Sequence, residues 1–306
     1  MPVLIYRPPP PINDFFQEHV VQSFKEHKRS TAWTNEVTKQ DWKYHTRMIL
    51  DRGRADFRAE WKGLTPSDKI VLYCYYYMQM HAVSGYHTFR RGRRDHRLDF
   101  LENVVFIDFG CGPLTSAVSL AWHNLKINPN SEKQGLLIYY IGIDNCSEML
   151  SHAKAFANES NLFHRKSTFN FVTRKEAPDQ VPLLIEECRS RLKGAEPTII
   201  LNCSYYFASR TLGVGGLITF ISQLLTEHLV DDKVCLVFQN PDHDGLNLKW
   251  ERFKNGMKLL RELSRNTDTV YYRDITGQRS GIVTIHLRRE FLINRKWMKQ
   301  GDVVQF

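Results

Sequence analysis

The chain has 306 residues, of which 42% are hydrophobic and 25% charged, so it can bury a sizeable core. No stretch approaches the ~20 apolar residues that a membrane span needs, and the proline-rich start does not match a secretory signal peptide. Six cysteines lie singly without a Cys-x-x-Cys pair, which gives no support to a zinc site or disulfide framework. We expect reduced thiols and a cytoplasmic protein.

The formal net charge of +9 is concentrated in the first third of the chain. Residues 1–100 contain 17 Lys and Arg against 11 Asp and Glu, with the densest cluster at 90–97. A basic surface of this kind fits an anionic partner such as nucleic acid. A solvated surface with no partner is equally compatible with the charge.

Residues 1–100 are predicted to form an N-terminal helical, basic segment that contacts substrate or covers the site. Four consecutive prolines predict an extended chain over residues 1–11, and apolar residues at helical spacing predict two or three helices over 12–64. Thr65 and Pro66 begin a tyrosine-rich, buried helix that we expect to end at Gly85. Residues 86–90 are predicted as a loop, and the domain boundary is placed near 95–102.

Strands and helices alternate after residue 103, which predicts an α/β domain over residues 101–306. Strands are predicted at 104–110, 136–144, 167–172, 198–203 and 234–238, with helices between them and a last helix at 250–265. Two further strands, 270–274 and 281–287, follow without an intervening helix. The pattern predicts a seven-stranded, mostly parallel sheet with one antiparallel strand and helices on both faces.

Two acids end successive predicted strands on either side of a glycine turn. Asp108 is followed by Gly110 and Gly112, where bare backbone and helix N–H groups can approach a ligand. A carboxylate at this position would repel a pyrophosphate but suits a cationic or hydroxyl-bearing ligand. Asp144 ends the next strand, where an acid can bind both ribose hydroxyls of a nucleoside.

The stretches 108–115, Asp-Phe-Gly-Cys-Gly-Pro-Leu-Thr, and 142–150, Gly-Ile-Asp-Asn-Cys-Ser-Glu-Met-Leu, resemble the first two motifs of the class I S-adenosylmethionine-dependent methyltransferases. The resemblance covers roughly residues 100–290. It implies S-adenosyl-L-methionine as methyl donor and the Rossmann-like fold just described. Leu114 departs from the family, which often has glycine there, and this predicts a looser or differently shaped turn.

The resemblance also implies roles for individual residues. The predicted donor-binding residues are Asp108, Gly110, Cys111, Gly112, Asp144, Asn145, Asn170, Phe171 and Asn202. Asn170 and Phe171 would contact the adenine edge, and Asn202 begins the stretch that holds donor against acceptor. Tyr205 and Tyr206 in that stretch, together with His243 as a possible base, are the candidate catalytic residues.

Tyr86, His87, Arg90 and Arg91 are the candidate acceptor-binding residues, because they precede the first predicted strand where N-terminal elements of this family fold over the donor. Asp242, His243 and Asp244 are adjacent residues that point in different directions, so we predict a polar loop there and no metal site. RNA or another anionic acceptor is favoured, since bases stack on aromatic side chains while Lys and Arg bind phosphates.

The sequence is compatible with two other functions and disfavours a third. The chain could be a noncatalytic binding subunit of the same fold acting on nucleic acid, or a methyltransferase for oxygen or nitrogen atoms of small molecules. An NAD-dependent oxidoreductase is disfavoured, because Thr115 replaces the third fingerprint glycine and Asp108 would face the pyrophosphate. The Asp/Asn-Pro-Pro-aromatic and Pro-Cys signatures of DNA methyltransferases are absent from the sequence.

Overall fold

In the computed structural model, residues 4–128, 135–159, 161–192 and 196–298 are described. Eight strands form one sheet in the order β1-β7-β8-β6-β5-β2-β3-β4. The strands are β1 Ile5–Tyr6, β2 Val104–Phe109, β3 Tyr139–Asp144, β4 Thr168–Thr173, β5 Thr198–Ser204, β6 Lys233–Pro241, β7 Arg261–Arg273 and β8 Ile282–Ile293. β8 runs antiparallel to its neighbours β6 and β7, and every other pair is parallel, as predicted.

The sheet has one strand more than the seven predicted. Ile5 and Tyr6 pair in parallel with Tyr271 and Tyr272 and so add β1 to the outer edge of β7. This region was expected to be extended, but sequence alone gave no partner for it. The prolines that follow do not exclude a helix, because Pro10 and Pro11 occupy its first turn, where a missing N–H costs nothing.

Helices cover both faces of the sheet. The N-terminal helical stretches are Pro10–Phe15, Phe16–Gln22, Ser23–Glu26, Thr31–Trp33, Thr34–Thr38, Trp42–Tyr44, His45–Ile49 and Asp51–Gly53. The stretches Pro66–Tyr73, Cys74–Met78 and Gln79–His96 then follow one another without a break. The later helices are Thr115–Ile127, Ser147–Glu159, Ala177–Arg191, Tyr206–Ala208, Val214–Gln223, Leu224–His228, Asp244–Gly256 and Arg295–Met298.

The hydrophobic core has one layer on each side of the sheet. One layer is built from the N-terminal helices, Gln79–His96, Thr115–Ile127 and Ser147–Glu159. The other contains Ala177–Arg191, Val214–Gln223 and Asp244–Gly256. The first layer joins residues on both sides of the predicted boundary, for example Phe89 with Phe106.

The tyrosine-rich helix does not end at Gly85, as predicted, but continues to His96. A Cβ atom at Gly85 would lie 2.4 Å from Ser119 Oγ, on the neighbouring helix Thr115–Ile127. Glycine is therefore present because two helices pack closely there, and the helix has no reason to stop. Residues 86–90 are helical and not a loop.

The predicted helix at 250–265 is also partly wrong. The helix ends at Gly256, and residues from Arg261 onward belong to β7, which pairs with β8 from Arg261 opposite Ile293 to Arg273 opposite Ile282. This long antiparallel ladder satisfies backbone groups that a helix would otherwise satisfy, so a distant partner decides the conformation. Among the helices of the described residues, none is both long and apolar enough to cross a lipid bilayer.

Candidate functional site

The strand register brings the predicted polar residues to one edge of the sheet. Asp108 lies opposite Gly142 of β3 and Asn202 of β5, and Asp144 lies opposite Thr173 of β4. All four strands are parallel, so their carboxyl ends meet at the same edge. This edge, next to the reversal of strand order, is where open α/β sheets bind ligands.

The turn after β2 is built from three left-handed residues. Gly110, Gly112 and Leu114 have φ angles of +68°, +54° and +68°. The N–H groups of Gly110 and Cys111 both donate to the carbonyl oxygen of Ile143, at 2.8 and 3.1 Å. These bonds fasten the turn to the end of β3.

Leu114 stands at the position where the resemblance leads one to expect glycine. It adopts the left-handed conformation that glycine would adopt, and the helix begins at the next residue, Thr115. Its side chain is 0% exposed within the first core layer. Burial of a leucine side chain contributes about 1.5–3 kcal/mol, which outweighs a left-handed backbone cost of about 1–2 kcal/mol.

Asp108 lies beneath the turn and is only 1% exposed. Its carboxylate accepts hydrogen bonds from the Tyr140 hydroxyl and from Asn202 Nδ2, both at 2.6 Å. Burial raises the pKa of Asp108 to about 6, although these hydrogen bonds oppose the rise. Asp108 and Asn202 are thus partners of each other, and neither lines the cavity described below.

Asp144 lies beside the glycine turn and is half-buried. Its two oxygens accept from the N–H of Gly112 at 3.2 Å and from the N–H of Cys146 at 3.1 Å. Burial raises the pKa of Asp144, and these backbone donors oppose the rise. The carboxylate is therefore fixed in orientation where β3 meets the cavity.

A cavity of about 350 Å³ lies over the glycine turn, within the size range of small-molecule sites. Eight of the predicted site residues line it: Gly110, Cys111, Gly112, Asp144, Asn145, Tyr205, Tyr206 and His243. A Cβ atom at Gly112 would meet nothing within 4 Å, so the bare backbone there faces open space.

Asn170 and Phe171 of β4, predicted to contact adenine, are not among the residues that line this cavity. The Phe171 ring lies 6.0 Å from the ring of Tyr140, and its Cδ1 would lie 2.9 Å from a Cβ placed at Gly142. Phe171 therefore packs over the sheet. Arg174, one residue beyond β4, is the residue from this loop that lines the cavity.

The predicted acceptor residues Tyr86, His87, Arg90 and Arg91 are not among the cavity-lining residues either. Tyr86 stacks on Trp122 with ring centroids 4.6 Å apart. His87 contacts the hydroxyl of Tyr6 at 2.8 Å and the carboxylate of Asp268 at 3.2 Å.

The two arginines are similarly engaged in the fold. Arg90 donates to the hydroxyl of Tyr6 at 3.0 Å, and Arg91 pairs with Asp95 at 2.9 Å. Tyr86, His87 and Arg90 thus join this part of the helix to neighbouring elements, whereas Arg91 pairs within the helix itself.

The same helix does line the cavity, but three turns earlier. Tyr73, Tyr77 and His81 recur every four residues on one face, and all three line the cavity. In the sequence, this stretch is predicted to be a buried helix. The four-residue spacing of positions 73, 77 and 81 is the sequence signal that could have identified the face of the helix that lines the cavity.

Tyr205 joins this aromatic wall from the other side. Its ring stacks on His81 with centroids 3.7 Å apart, and its hydroxyl donates to Ser84 Oγ at 2.8 Å. Its backbone has φ of +58°, and its N–H donates to the carbonyl oxygen of Gln239 at 2.8 Å. A left-handed non-glycine residue held by several contacts is typical of functional sites.

Tyr206 and His243 occupy different parts of the cavity. A Cβ at Gly110 would lie 2.5 Å from Tyr206 Cδ2, so this ring packs directly against the glycine turn. His243 is exposed, as are Asp242 and Asp244, which do not line the cavity. Within the described ranges, no three His, Cys, Asp or Glu side chains are grouped so that they could hold a metal ion.

The strand order and the cavity at the carboxyl ends of β2, β3 and β5 define a Rossmann-like α/β protein with a ligand site at the reversal of strand order. No family model matches the chain, and no curated protein matches it.

Several solved structures match the chain at low identity. They include a candidate class I S-adenosylmethionine-dependent methyltransferase from Listeria monocytogenes, at 11% identity and a TM-score of 0.41, covering 92% of this chain and 88% of that one. Magnesium protoporphyrin IX methyltransferase from Synechocystis PCC 6803 with bound S-adenosylmethionine matches at 14% and 0.38, covering 82% and 94%.

A third match is precorrin-6y C5,15-methyltransferase from Geobacter metallireducens GS-15, at 10% identity and a TM-score of 0.39. The match covers 71% of this chain and 89% of that one.

Proposed function

We propose that the protein is an S-adenosylmethionine-dependent methyltransferase. The observation that carries the proposal is the Asp144 carboxylate, held by the N–H groups of Gly112 and Cys146 beside a glycine turn that opens into the cavity. A carboxylate fixed in this orientation at the end of β3 is placed to accept hydrogen bonds from two ribose hydroxyls.

The cavity has room and chemistry for the rest of the donor. The methionine portion would pass over the bare backbone of Gly110 and Gly112, and Asn145 would lie beside the base. The sulfonium carries a positive charge, which the faces of the Tyr205 and Tyr206 rings attract. The carboxylate of Asp108 is enclosed by Tyr140 and Asn202, so Asp108 would support the donor indirectly, by holding the glycine turn in place.

Methyl transfer from this donor requires little of the protein except alignment and exclusion of water. When bound, S-adenosylmethionine would supply a methyl group already activated by its sulfonium, which an acceptor lone pair would take with release of the neutral thioether S-adenosylhomocysteine. Tyr205, fixed by Ser84 and the Gln239 carbonyl, would confine the acceptor.

Among acceptors we favour an anionic molecule, because four arginines line the cavity: Arg52, Arg54, Arg58 and Arg174. RNA is one polymer with this charge. The tyrosines that could stack on RNA bases are only partly accessible, however, since Tyr73 and Tyr77 are half-buried in the cavity wall.

Binding of S-adenosylhomocysteine, measured by isothermal titration calorimetry, tests the proposal. Asp144→Ala should weaken binding by roughly 100-fold, because two hydrogen bonds to a charged group contribute about 1.5–3 kcal/mol each and water replaces them in part. Asp242→Asn is the matched control, since Asp242 is exposed and does not line the cavity, and its affinity should equal that of the wild type.

No measurable binding to the wild-type protein would refute the donor site. Equal binding by Asp144→Ala and wild type would remove Asp144 from it.

A further inference from the structure

Arg52 and Gly53, in a strained turn, form part of the cavity wall. Asp51, Arg52 and Gly53 are consecutive and all left-handed, with φ angles of +43°, +56° and +85°. Two non-glycine residues in this conformation cost roughly 1–2 kcal/mol each, so surrounding contacts must hold them. Arg210, in the loop after β5, contacts both carboxylate oxygens of Asp51 at 2.8 and 2.9 Å.

The turn presents an arginine without a carboxylate partner. Arg54 pairs with Asp51 at 3.3 Å and Arg58 with Asp56 at 2.9 Å. Arg52 also lines the cavity, but the described parts of the chain place no acid within ion-pair distance of it. Its exposed guanidinium is free to bind an anion. The fourth cavity arginine, Arg174, instead donates to the carbonyl oxygens of Thr211 and Gly213, at 3.5 and 3.4 Å.

The turn packs directly on the aromatic wall. A Cβ at Gly53 would lie 3.7 Å from the Tyr73 ring and 3.8 Å from the Tyr77 ring. Tyr77 and His81 are stacked with an interplanar angle of 29°, and His81 stacks on Tyr205. These flat faces suit a planar ring.

His81 supplies a polar atom to the same wall. The residue is 9% exposed, and its Nδ1 contacts the Tyr73 hydroxyl at 2.9 Å. No hydrogen-bond partner for Nε2 is found among the described residues. Burial lowers the pKa of His81 to about 3, so the imidazole is neutral at physiological pH and does not itself attract an anion.

The donor has a separate part of the cavity. The loop 56–58 lies near the donor side, since Cys146 Sγ contacts the Phe57 carbonyl oxygen at 3.4 Å, and the Phe57 ring also reaches Tyr73, at 5.3 Å. The turn 51–53 lies over both Tyr73 and Tyr77. Arg52 and Tyr77 therefore lie together, and His81, stacked on Tyr205, lies between Tyr77 and the position proposed for the sulfonium.

We propose that this end of the cavity is the acceptor subsite, and that it takes a small planar aromatic carboxylate. Arg52 pairs with the carboxylate, the rings of Tyr77 and His81 contact the planar ring, and His81 Nε2 hydrogen-bonds a polar substituent. This inference rests on the proposed methyltransferase function, because the subsite is defined by its position beside the donor.

The test uses the full-length protein saturated with S-adenosylhomocysteine and titrated with 4-hydroxybenzoate or its uncharged methyl ester. The acid should bind more tightly than the ester. Arg52→Gln should weaken binding of the acid by roughly 10- to 100-fold, the range for one charge-assisted bidentate contact, and leave the ester unchanged. Arg52→Lys should restore part of the loss.

Two further variants test the ring contact and control for net charge. Tyr77→Leu should weaken binding of acid and ester alike, because both use the ring. Arg93→Gln is the control for net charge, since Arg93 is exposed at the far end of the helix and does not line the cavity. It should bind both probes as the wild type does.

Affinity for S-adenosylhomocysteine separates this proposal from the donor proposal. Arg52→Gln should retain wild-type donor affinity; an equal loss for donor and acid would place Arg52 at the donor carboxylate and overturn the acceptor assignment. Failure of both probes to bind would also overturn it. So would Arg52-dependent binding of an oligoribonucleotide that 4-hydroxybenzoate does not displace, which would favour RNA.

Discussion

Asp108 shows how a polar residue at the edge of a ligand site can serve the scaffold. The sequence predicts that it binds a ligand, yet in the fold its carboxylate accepts hydrogen bonds from Tyr140 and Asn202. Asn202 is in turn fixed by Ser204, whose hydroxyl donates to Asn202 Oδ1 at 2.8 Å. The network connects β2, β3 and β5 directly below the cavity.

The pKa of Asp108 makes stability depend on pH. Because burial raises this pKa to about 6 from 3.8, folding favours the protonated carboxyl. The stabilisation is complete below about pH 4 and is lost as pH rises through about 6, by roughly 3 kcal/mol. Other titratable groups also make the unfolding free energy depend on pH. The contribution of Asp108 is therefore measured by comparing the wild type with a variant.

Asp108→Asn should flatten the decrease in unfolding free energy between pH 4 and pH 7, measured by urea denaturation. The variant should also be less stable at pH 5, because its amide must place a donor next to the Tyr140 hydroxyl or Asn202 Nδ2. Asp242→Asn, at an exposed position, should follow the wild-type profile. Parallel profiles for Asp108→Asn and wild type would contradict the assignment.

At the scale of elements, the helix 66–96 decides which residues face the cavity. Because it continues past Gly85, Tyr73, Tyr77 and His81 line the cavity while Tyr86 and His87 pack against the core and β7. The close contact at Gly85 sets the distance between this helix and Thr115–Ile127. The helix that follows the glycine turn is thereby positioned as well.

Gly85→Ala should lower the unfolding free energy by about 1–3 kcal/mol, because the new Cβ would lie 2.8 Å from Ser119 Cβ and the helices must separate. Gly216→Ala is the matched control. Gly216 is an exposed helical glycine with nothing within 4 Å of a new Cβ, so alanine should raise stability by about 0.5–1 kcal/mol. An unchanged unfolding free energy for Gly85→Ala would contradict the close packing.

At the scale of the whole molecule, the N-terminal segment and the sheet share one layer of core. Phe89, Phe106 and Phe291 belong to the same cluster, although the first precedes the predicted boundary. The buried Arg289 joins Asp268 of β7 to Asp95 of the long helix, at 2.5 and 3.5 Å. Separating the two parts would expose apolar surface and an unpaired charge.

We therefore expect Gln79–His96 to unfold together with the sheet. Native-state hydrogen exchange at increasing urea should give the same opening free energy for residues 79–96 and for β2. Residues 42–49 provide the internal comparison, because they lie beside a smaller cluster around Trp33 and Ile49 and should open at lower cost. Exchange of 79–96 well before β2 would show an independent N-terminal domain.

The regular alternation of apolar strands with helices was sufficient to predict most of the sheet. Strands 104–110 and 198–203 were predicted within one residue, because they are buried on both faces and read as continuous apolar runs. Errors arose where contacts distant in sequence decide the conformation. Ile5–Tyr6 and Arg261–Arg265 become strands by pairing with β7 and β8. Gly85 stays within a helix because that helix packs closely against Ser119.

The order of residues alone is enough to predict the polar edge of the sheet, because parallel strands ending in Asp108, Asp144 and Asn202 must bring these residues to one side. It also predicted the glycine turn, since Gly110 and Gly112 mark positions where the chain turns sharply. It could not decide which polar groups face a ligand and which face one another.

Contacts between distant parts of the folded chain settle which polar groups face the cavity. Asp144 is held at the cavity and Asp108 is enclosed, although both end a strand next to the same turn. Likewise, the cavity wall takes Arg52, Tyr77 and His81 from a segment far away in sequence. The orientation of a side chain depends on which partners surround it, and those partners come together only when the whole chain has folded.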